Sequence, residues 1–267
     1  MINKFFKRKP KLVIKLENET EQNFDLKIWK LVNEYIPKEK KKKLKGKKLN
    51  IIVPKNYKEK LYNLSTAEHK EHFNDFGTPE LNGCLVLPID KKSTEFTILL
   101  NKRIFDSDQY FSTIPHEITH VFDFNDYFTQ YGNIFILDRE SKKENFYFVH
   151  YLWTEFNAKK IGIQRFKKEL DKTKSNINLE VSTKNFKEDV DNNLFYLTKS
   201  YHLMHHFGRM SVYDNGLLSF NNNYFPESYL KQIFGENVMT LYHTLKEITN
   251  YSEFDKEKEF LKYLMKQ

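Results

Sequence analysis

Cysteine is nearly absent from the sequence. Cys84 is the only one among 267 residues, so no disulfide can form within the chain, and a reducing compartment is compatible with this composition. Cys84 opens the apolar run Cys84-Leu85-Val86-Leu87, and no residue beside it indicates an activated thiolate. We therefore interpret it as a buried structural thiol rather than a nucleophile.

Long hydrophobic runs are also missing. No segment approaches the length of a membrane span, and the basic N-terminal stretch has no apolar core of the kind found in signal peptides. We therefore expect a cytoplasmic protein that makes no membrane contact. The hydrophobic content of 39% is nevertheless sufficient, in a chain of this length, for a compact globular core.

Acidic residues are fewer than basic ones, 36 against 44, which gives a net charge of +8. Much of this excess lies between Pro37 and Leu49, where the chain reads KEKKKKLKGKK. Such a run can bind nucleic acid, and that partner stays open as an alternative. Because no aromatic residue is interleaved in the run, we favour a solvated helix end and loop.

Apolar periodicity predicts an α+β fold. Apolar residues recur at helical spacing from Phe24 to Tyr35, and three short runs predict strands of one small sheet: Leu49–Val53, Cys84–Leu87 and Glu95–Leu100. Helical spacing dominates after Asp106, with a polar loop expected near Tyr131–Asn145. We predict a catalytic domain over residues 1–170 and a helical extension over 171–267 that packs on it.

Residues 116 to 120 read His-Glu-Ile-Thr-His, the HExxH pattern. Two histidines four residues apart on a helix present both rings from one face, at a separation that one zinc ion can bridge. Glu117, between them, is the predicted general base, which takes a proton from a metal-activated water and passes it to a leaving amine. Pro115 lies directly before the motif, so the helix is expected either to begin near Ser112 or to kink.

Glu155 is the predicted third metal ligand. It is an acid within an otherwise apolar helical stretch, and the small residues Ala158 and Gly162 follow on the same stripe. These small residues would allow a close approach to the HExxH helix. Asp123 competes for the role, but it stands about 10 Å of helix rise beyond His116, so a position behind the ligands or on the helix surface is favoured.

At these residues the chain resembles the gluzincin branch of the zincins, and more narrowly the ImmA/IrrE-like metallopeptidases of bacteria and their mobile elements. The resemblance rests on residues 95–162 and implies a zincin-like fold: a small sheet, an active-site helix and a glutamate helix. It also implies an intracellular peptidase, in some members one that cleaves a repressor. Lys159 departs from the thermolysin-like pattern, which has an aspartate four residues after the ligand glutamate.

The helical half carries the best reservoir of groups that could stabilise an oxyanion opposite the metal. These candidates are Tyr201, His202, His205, His206, Arg209 and Tyr213. His202 and His206 have the spacing of a second metal pair, although no acid accompanies them.

The expected function is therefore a zinc metallopeptidase that hydrolyses peptide bonds in a peptide or protein substrate, and the resemblance implies a mobile element as one source of such an enzyme. Its ion would be held by His116, His120 and Glu155, a ligand set that suits hydrolytic zinc and can also hold iron. The alternative is a nucleic-acid- or protein-binding module of a mobile element, with a structural or vestigial metal site. The substrate, the activating event and the oligomeric state are left open.

Overall fold

The computed structural model of the chain describes residues 11–90, 92–133, 144, 146–175, 177–214 and 225–265. The chain forms two compact units, residues 1–128 and 129–267. The first contains the sheet and the second is helical, so the α+β class is confirmed. The division into a catalytic domain over residues 1–170 and a helical extension over 171–267 stays a prediction. Compact units do not by themselves show which segments carry a function.

A four-stranded mixed sheet lies in the first unit. Its strands are β1 (Val13–Asn18), β2 (Lys48–Val53), β3 (Gly83–Val86) and β4 (Glu95–Leu100), in the order β1-β2-β4-β3. The β1-β2 and β2-β4 pairs are parallel, whereas β3 runs antiparallel to β4. Side chains along β2 and β4 are buried almost without interruption, which is typical of strands covered on both faces.

Two features of the sheet were not predicted from the sequence. β4 is an interior strand, since it pairs with β2 on one side and β3 on the other. The edge strand that lies against the HExxH helix is therefore β3. In addition, β1 was not predicted, although the alternating exposure along Val13–Asn18 follows the period of a strand.

The helices of the first unit are α1 (Asp25–Tyr35), α2 (Lys38–Lys41), α3 (Tyr57–Leu64), α4 (Ala67–Phe76) and the beginning of α5 (Tyr110–Tyr131). A short 3-10 helix, Lys102–Phe105, follows β4. Local sequence explains where α3 and α4 begin, because the Asn56 and Thr66 side chains accept hydrogen bonds from backbone N–H groups of the first turn.

Helix α5 carries the HExxH residues. It begins at Tyr110, two residues before the expected start near Ser112, and therefore contains Pro115 in its second turn. A proline there has no N–H to donate to the preceding turn, so one helical hydrogen bond is missing. The carbonyl of Pro115 accepts a bond from the Thr119 hydroxyl at 2.8 Å. The spacing of His116 and His120 is preserved.

The second unit is built from six helices within its described residues. They are α6 (Tyr147–Lys172), α7 (Leu179–Asp191), α8 (Tyr196–Tyr213), α9 (Glu227–Phe234), α10 (Val238–Glu247) and α11 (Tyr251–Leu264). One aromatic-rich core joins them, with Trp153, Phe207 and Phe254 fully buried. The predicted loop at Tyr131–Asn145 lies mostly outside the described residues. No helix of the described part is long and apolar enough to cross a bilayer.

Helices α6 and α8 approach each other closely at Gly208. A Cβ atom built on Gly208 would stand 2.6 Å from the carbonyl oxygen of Phe156 and 2.8 Å from the Cβ of Lys159. A side chain at this position would therefore clash with backbone atoms of α6. The missing side chain lets α8 bring polar residues next to Glu155 and Lys159.

Candidate metal centre

Helix α5 brings two imidazole rings together. The Nε2 atoms of His116 and His120 are 3.0 Å apart, and the ring planes are nearly perpendicular. His120 is buried and His116 is partly buried. The i, i+4 spacing therefore has the predicted effect, because both ring nitrogens point at one place beside the helix.

Glu155 of α6 completes a group of three. One ligand atom from each of His116, His120 and Glu155 can be chosen so that all lie within 4.8 Å of one another. These residues are close enough to bind one metal ion, as the sequence predicted. Among the described residues no second group of three such side chains is close enough to hold one ion, so His202 and His206 form no metal site there, although Asp189 lies near His202.

The spacing of these atoms can be compared with what an ion requires. A tetrahedral zinc ion with bonds of about 2.1 Å holds its ligand atoms about 3.4 Å apart. The two ring nitrogens are slightly closer than this, and the widest separation in the group is somewhat larger. Small side-chain adjustments therefore suffice, and the donor set of two imidazoles and a carboxylate suits zinc and also iron.

Asp123, the competing ligand, is not a member of this group. It is buried, at 7% exposure, and its charge acts on Lys40: burial lowers the pKa of Lys40, and Asp123 opposes that shift. Its seven-residue separation from His116 along α5 is consistent with this different environment.

His205 of α8 contacts Glu155. Its Nε2 lies 2.9 Å from Glu155 Oε2, and because an ionised carboxylate only accepts, Nε2 carries the proton and donates it. Burial lowers the pKa of His205 to about 4, although the Glu155 bond opposes the shift, so the ring is neutral near pH 7. His205 was a candidate for oxyanion stabilisation; its contact here is one that orients a ligand carboxylate.

Glu117 is buried, at 4% exposure, and its carboxylate lies against the edge strand. A Cβ atom built on Gly83 of β3 would be 3.1 Å from Glu117 Oε1 and 3.2 Å from its Cγ. The absence of a side chain at Gly83 therefore leaves the space that the Glu117 carboxylate occupies. Sequence reasoning missed this role of Gly83, for which the only signal was a glycine at the start of a predicted strand.

Tyr57 of α3 is a second residue near Glu117 that the sequence did not single out. Its hydroxyl is buried and makes no hydrogen bond to any residue that the structure describes. Burial raises its pKa, and the nearby acidic groups of Cys84 and Glu117 raise it further, so the phenol stays protonated. Cys84 packs beside Tyr57 and is partly buried, where a buried thiol was expected.

The other candidates from the helical half have separate environments. His202 lies 3.6 Å from Asp189, and the Tyr201 ring centroid lies 4.2 Å from that of His205. His206 is a core residue, 1% exposed and stacked on Phe186. Arg209 and Tyr213 follow His205 at four-residue intervals on α8, and both are partly buried.

Several lysines of the basic run have partners within their own unit. Lys43 pairs with Asp126 at 3.0 Å, and Lys48 pairs with Glu95 at 2.9 Å. Lys47 donates to the carbonyl oxygen of Ser93, and the Lys40 ammonium lies over the Phe122 ring. The lysines Lys43 and Lys48 also remain largely exposed, so these contacts favour the expected solvated helix end and loop.

Comparison with known proteins adds no relative. No protein-family model, curated protein or solved structure gives a significant match to this chain.

Proposed function

We propose that the chain is a zinc-dependent metallopeptidase of the zincin type, similar to the ImmA/IrrE-like enzymes. The observation that carries this proposal is the convergence of His116, His120 and Glu155 within 4.8 Å, with the buried acid Glu117 between the two histidines in sequence. A cytoplasmic location and an origin in a mobile element belong to the same proposal.

The three ligand residues have distinct tasks in this function. His116 and His120 would offer neutral ring nitrogens from α5, and Glu155 would offer an anionic oxygen that His205 holds in place through a 2.9 Å bond. When bound, zinc would supply Lewis acidity to both the attacking water and the peptide carbonyl.

Glu117 would act as the general base and then as the general acid. Its carboxylate accepts a proton from the attacking water and delivers it to the leaving amine, which needs a group held in a fixed place beside the reacting atoms. Burial of Glu117 and its position against Gly83 support such a fixed placement. The nearby Tyr57 phenol is protonated, so it cannot take the proton of the attacking water in place of Glu117.

The edge strand β3 is the place where we expect the substrate backbone to bind. Among the described strands β3 pairs only with β4, so its other edge can accept an extended peptide by strand addition. Gly83, whose missing side chain accommodates Glu117, lies at the start of this strand. A peptide paired there would bring a carbonyl close to the proposed base.

The test combines metal content with hydrolysis of defined synthetic peptides, whose products are identified by mass spectrometry. Glu117→Gln should retain about one zinc per chain and lose at least about two to four orders of magnitude in rate, because the amide is nearly isosteric but cannot accept the proton. Asp126→Asn, a change on the same helix at a surface ion pair, is the matched control and should leave both quantities unchanged.

Two further substitutions separate the metal from the base. His116→Ala and Glu155→Ala should lower zinc occupancy together with activity, since each removes a ligand. An unimpaired Glu117→Gln protein would show that Glu117 is not the base. A wild-type protein that binds no zinc would refute the proposed site itself.

The binding-module alternative makes the opposite predictions. It requires a steep dependence of DNA affinity on salt that becomes weaker when Lys40–Lys48 are neutralised, and it requires indifference to Glu117→Gln. The intramolecular partners of Lys43, Lys47 and Lys48 do not favour it.

A further inference from the structure

Two cations lie one helical turn beyond the contact between Glu155 and His205. Lys159 follows Glu155 by four residues on α6, and Arg209 follows His205 by four residues on α8. Residues at this spacing are neighbours on one helix face. Because α8 approaches α6 closely at Gly208, where a built Cβ would be 2.8 Å from that of Lys159, the two helices stay in contact through this turn.

Neither cation forms an ion pair in the described part of the chain, although the charge of Glu155 acts on Lys159 and that of Asp189 acts on Arg209. The half-buried Lys159 ammonium makes no hydrogen bond or ion pair there, and the Arg209 guanidinium donates to the neutral Ser182 hydroxyl of α7. Burial and the charge of Arg209 lower the pKa of Lys159 to about 8. Two like charges held out of water beside each other are unfavourable unless an anion compensates them.

A phenol accompanies these two cations. Tyr213 lies one turn beyond Arg209 on α8, and its buried hydroxyl makes no hydrogen bond within the described part of the chain. Burial raises the pKa of this phenol to about 12, so it carries a proton to donate. An ammonium, a guanidinium and a phenol are therefore grouped on neighbouring turns of α6 and α8, and all three are donors.

We propose that Lys159 and Arg209 form a carboxylate-binding site that recognises the free C-terminus of the peptide substrate. This inference deepens the proposed peptidase function and rests on it. Arginine binds carboxylates through two parallel N–H bonds, and lysine adds a compact charge. The described acids whose charges reach these cations, Glu155 and Asp189, bond neither of them: Glu155 bonds His205, and Asp189 lies 3.6 Å from His202.

The spacing sets how far from the scissile bond this carboxylate would be. Neighbouring turns place Cβ atoms about 5–6 Å apart, and an extended peptide covers at most about 3.6 Å per residue. One or two residues therefore separate the cleaved carbonyl from the recognised carboxylate. The enzyme would release single residues or dipeptides from C-termini.

Binding is tested first in metal-free protein, which removes any direct coordination of the probe. The probes are N-acetylalanine and its amide, titrated into the full chain and followed by ligand-observed NMR. Wild type should bind the acid and not the amide, and Lys159→Met or Arg209→Met should weaken acid binding by about tenfold or more. Lys160→Met is the matched control, since its neighbouring ammonium donates to the Lys246 carbonyl instead.

Hydrolysis by the zinc-loaded protein then shows whether the recognised carboxylate is the C-terminus of the peptide or the side chain of an internal Glu. Peptides are compared as C-terminal acids and amides, and with internal Glu or Gln. A preference for the acid that Lys159→Met abolishes through a raised KM supports the inference. A preference for internal Glu, equal cleavage of acid and amide, or an unaffected Lys159→Met would overturn it. Acid binding by a protein without Glu117-dependent hydrolysis would instead reject only the peptidase function.

Discussion

Replacing Gly83 with alanine tests how β3 positions the proposed base. The added Cβ would stand 2.6 Å from the Thr113 Cγ2 methyl and 3.1 Å from Glu117 Oε1. Carbon atoms in contact are normally about 3.5–4.0 Å apart, so the strand and the helix must separate locally by roughly 1 Å. The Glu117 carboxylate, which lies in the same space, would be displaced.

Two effects of Gly83→Ala can be estimated. Overpacking of this kind costs about 1–3 kcal/mol, which the better strand propensity of alanine offsets by about 0.5–1 kcal/mol. A displacement of the base by about 1 Å can lower the rate by about a hundredfold. Zinc content should not change, because the substitution removes no ligand. Urea denaturation, metal analysis and kcat measured on one synthetic peptide give the three quantities.

Thr113→Ser supplies the control, because it removes the Cγ2 methyl that causes the closest contact. The double variant should recover most of the lost kcat and stability, with a coupling energy of at least about 1 kcal/mol in a double-mutant cycle. If Gly83→Ala alone leaves kcat and stability unchanged, the close approach of β3 to Glu117 is not present in the protein.

The remaining predictions concern the helical unit. Gly208→Ala should destabilise the protein by about 2 kcal/mol or more, because the added Cβ meets the Phe156 carbonyl; a gain of about 1 kcal/mol in urea denaturation, as expected for an unhindered helix position, would contradict this. Burial, with help from Arg209 and Lys187, lowers the pKa of His206 from 6.5 to about 3. Between pH 6.5 and about 3 the unfolded chain therefore binds one proton more than the folded protein. The free energy of unfolding falls as the pH is lowered through this range. His206→Leu should reduce this slope by up to about 1.4 kcal/mol per pH unit, and denaturation curves with the same slope in both proteins would refute it.

Apolar periodicity predicted best the strands that are buried on both faces and the helices that bury one face. The strands at Leu49–Val53 and Glu95–Leu100 were predicted to within one residue, because buried strands read as continuous apolar runs. β1 was missed, since a single polar-apolar alternation near the basic N-terminal stretch is a weak signal. Helix α7 was missed too, because its polar residues outnumber the few that it buries.

The sequence by itself determined the pair His116 and His120, since four-residue spacing on any helix brings two side chains to one face. It also indicated Glu155, because an acid in an apolar helix requires a buried partner. Only the tertiary structure decided which groups surround these residues. His205 and Arg209 reach α6 because Gly208 allows two backbones to meet, and Glu117 fits because Gly83 lies opposite it. Such contacts join residues 34 to 52 positions apart in the chain, and no local pattern encodes contacts over that separation.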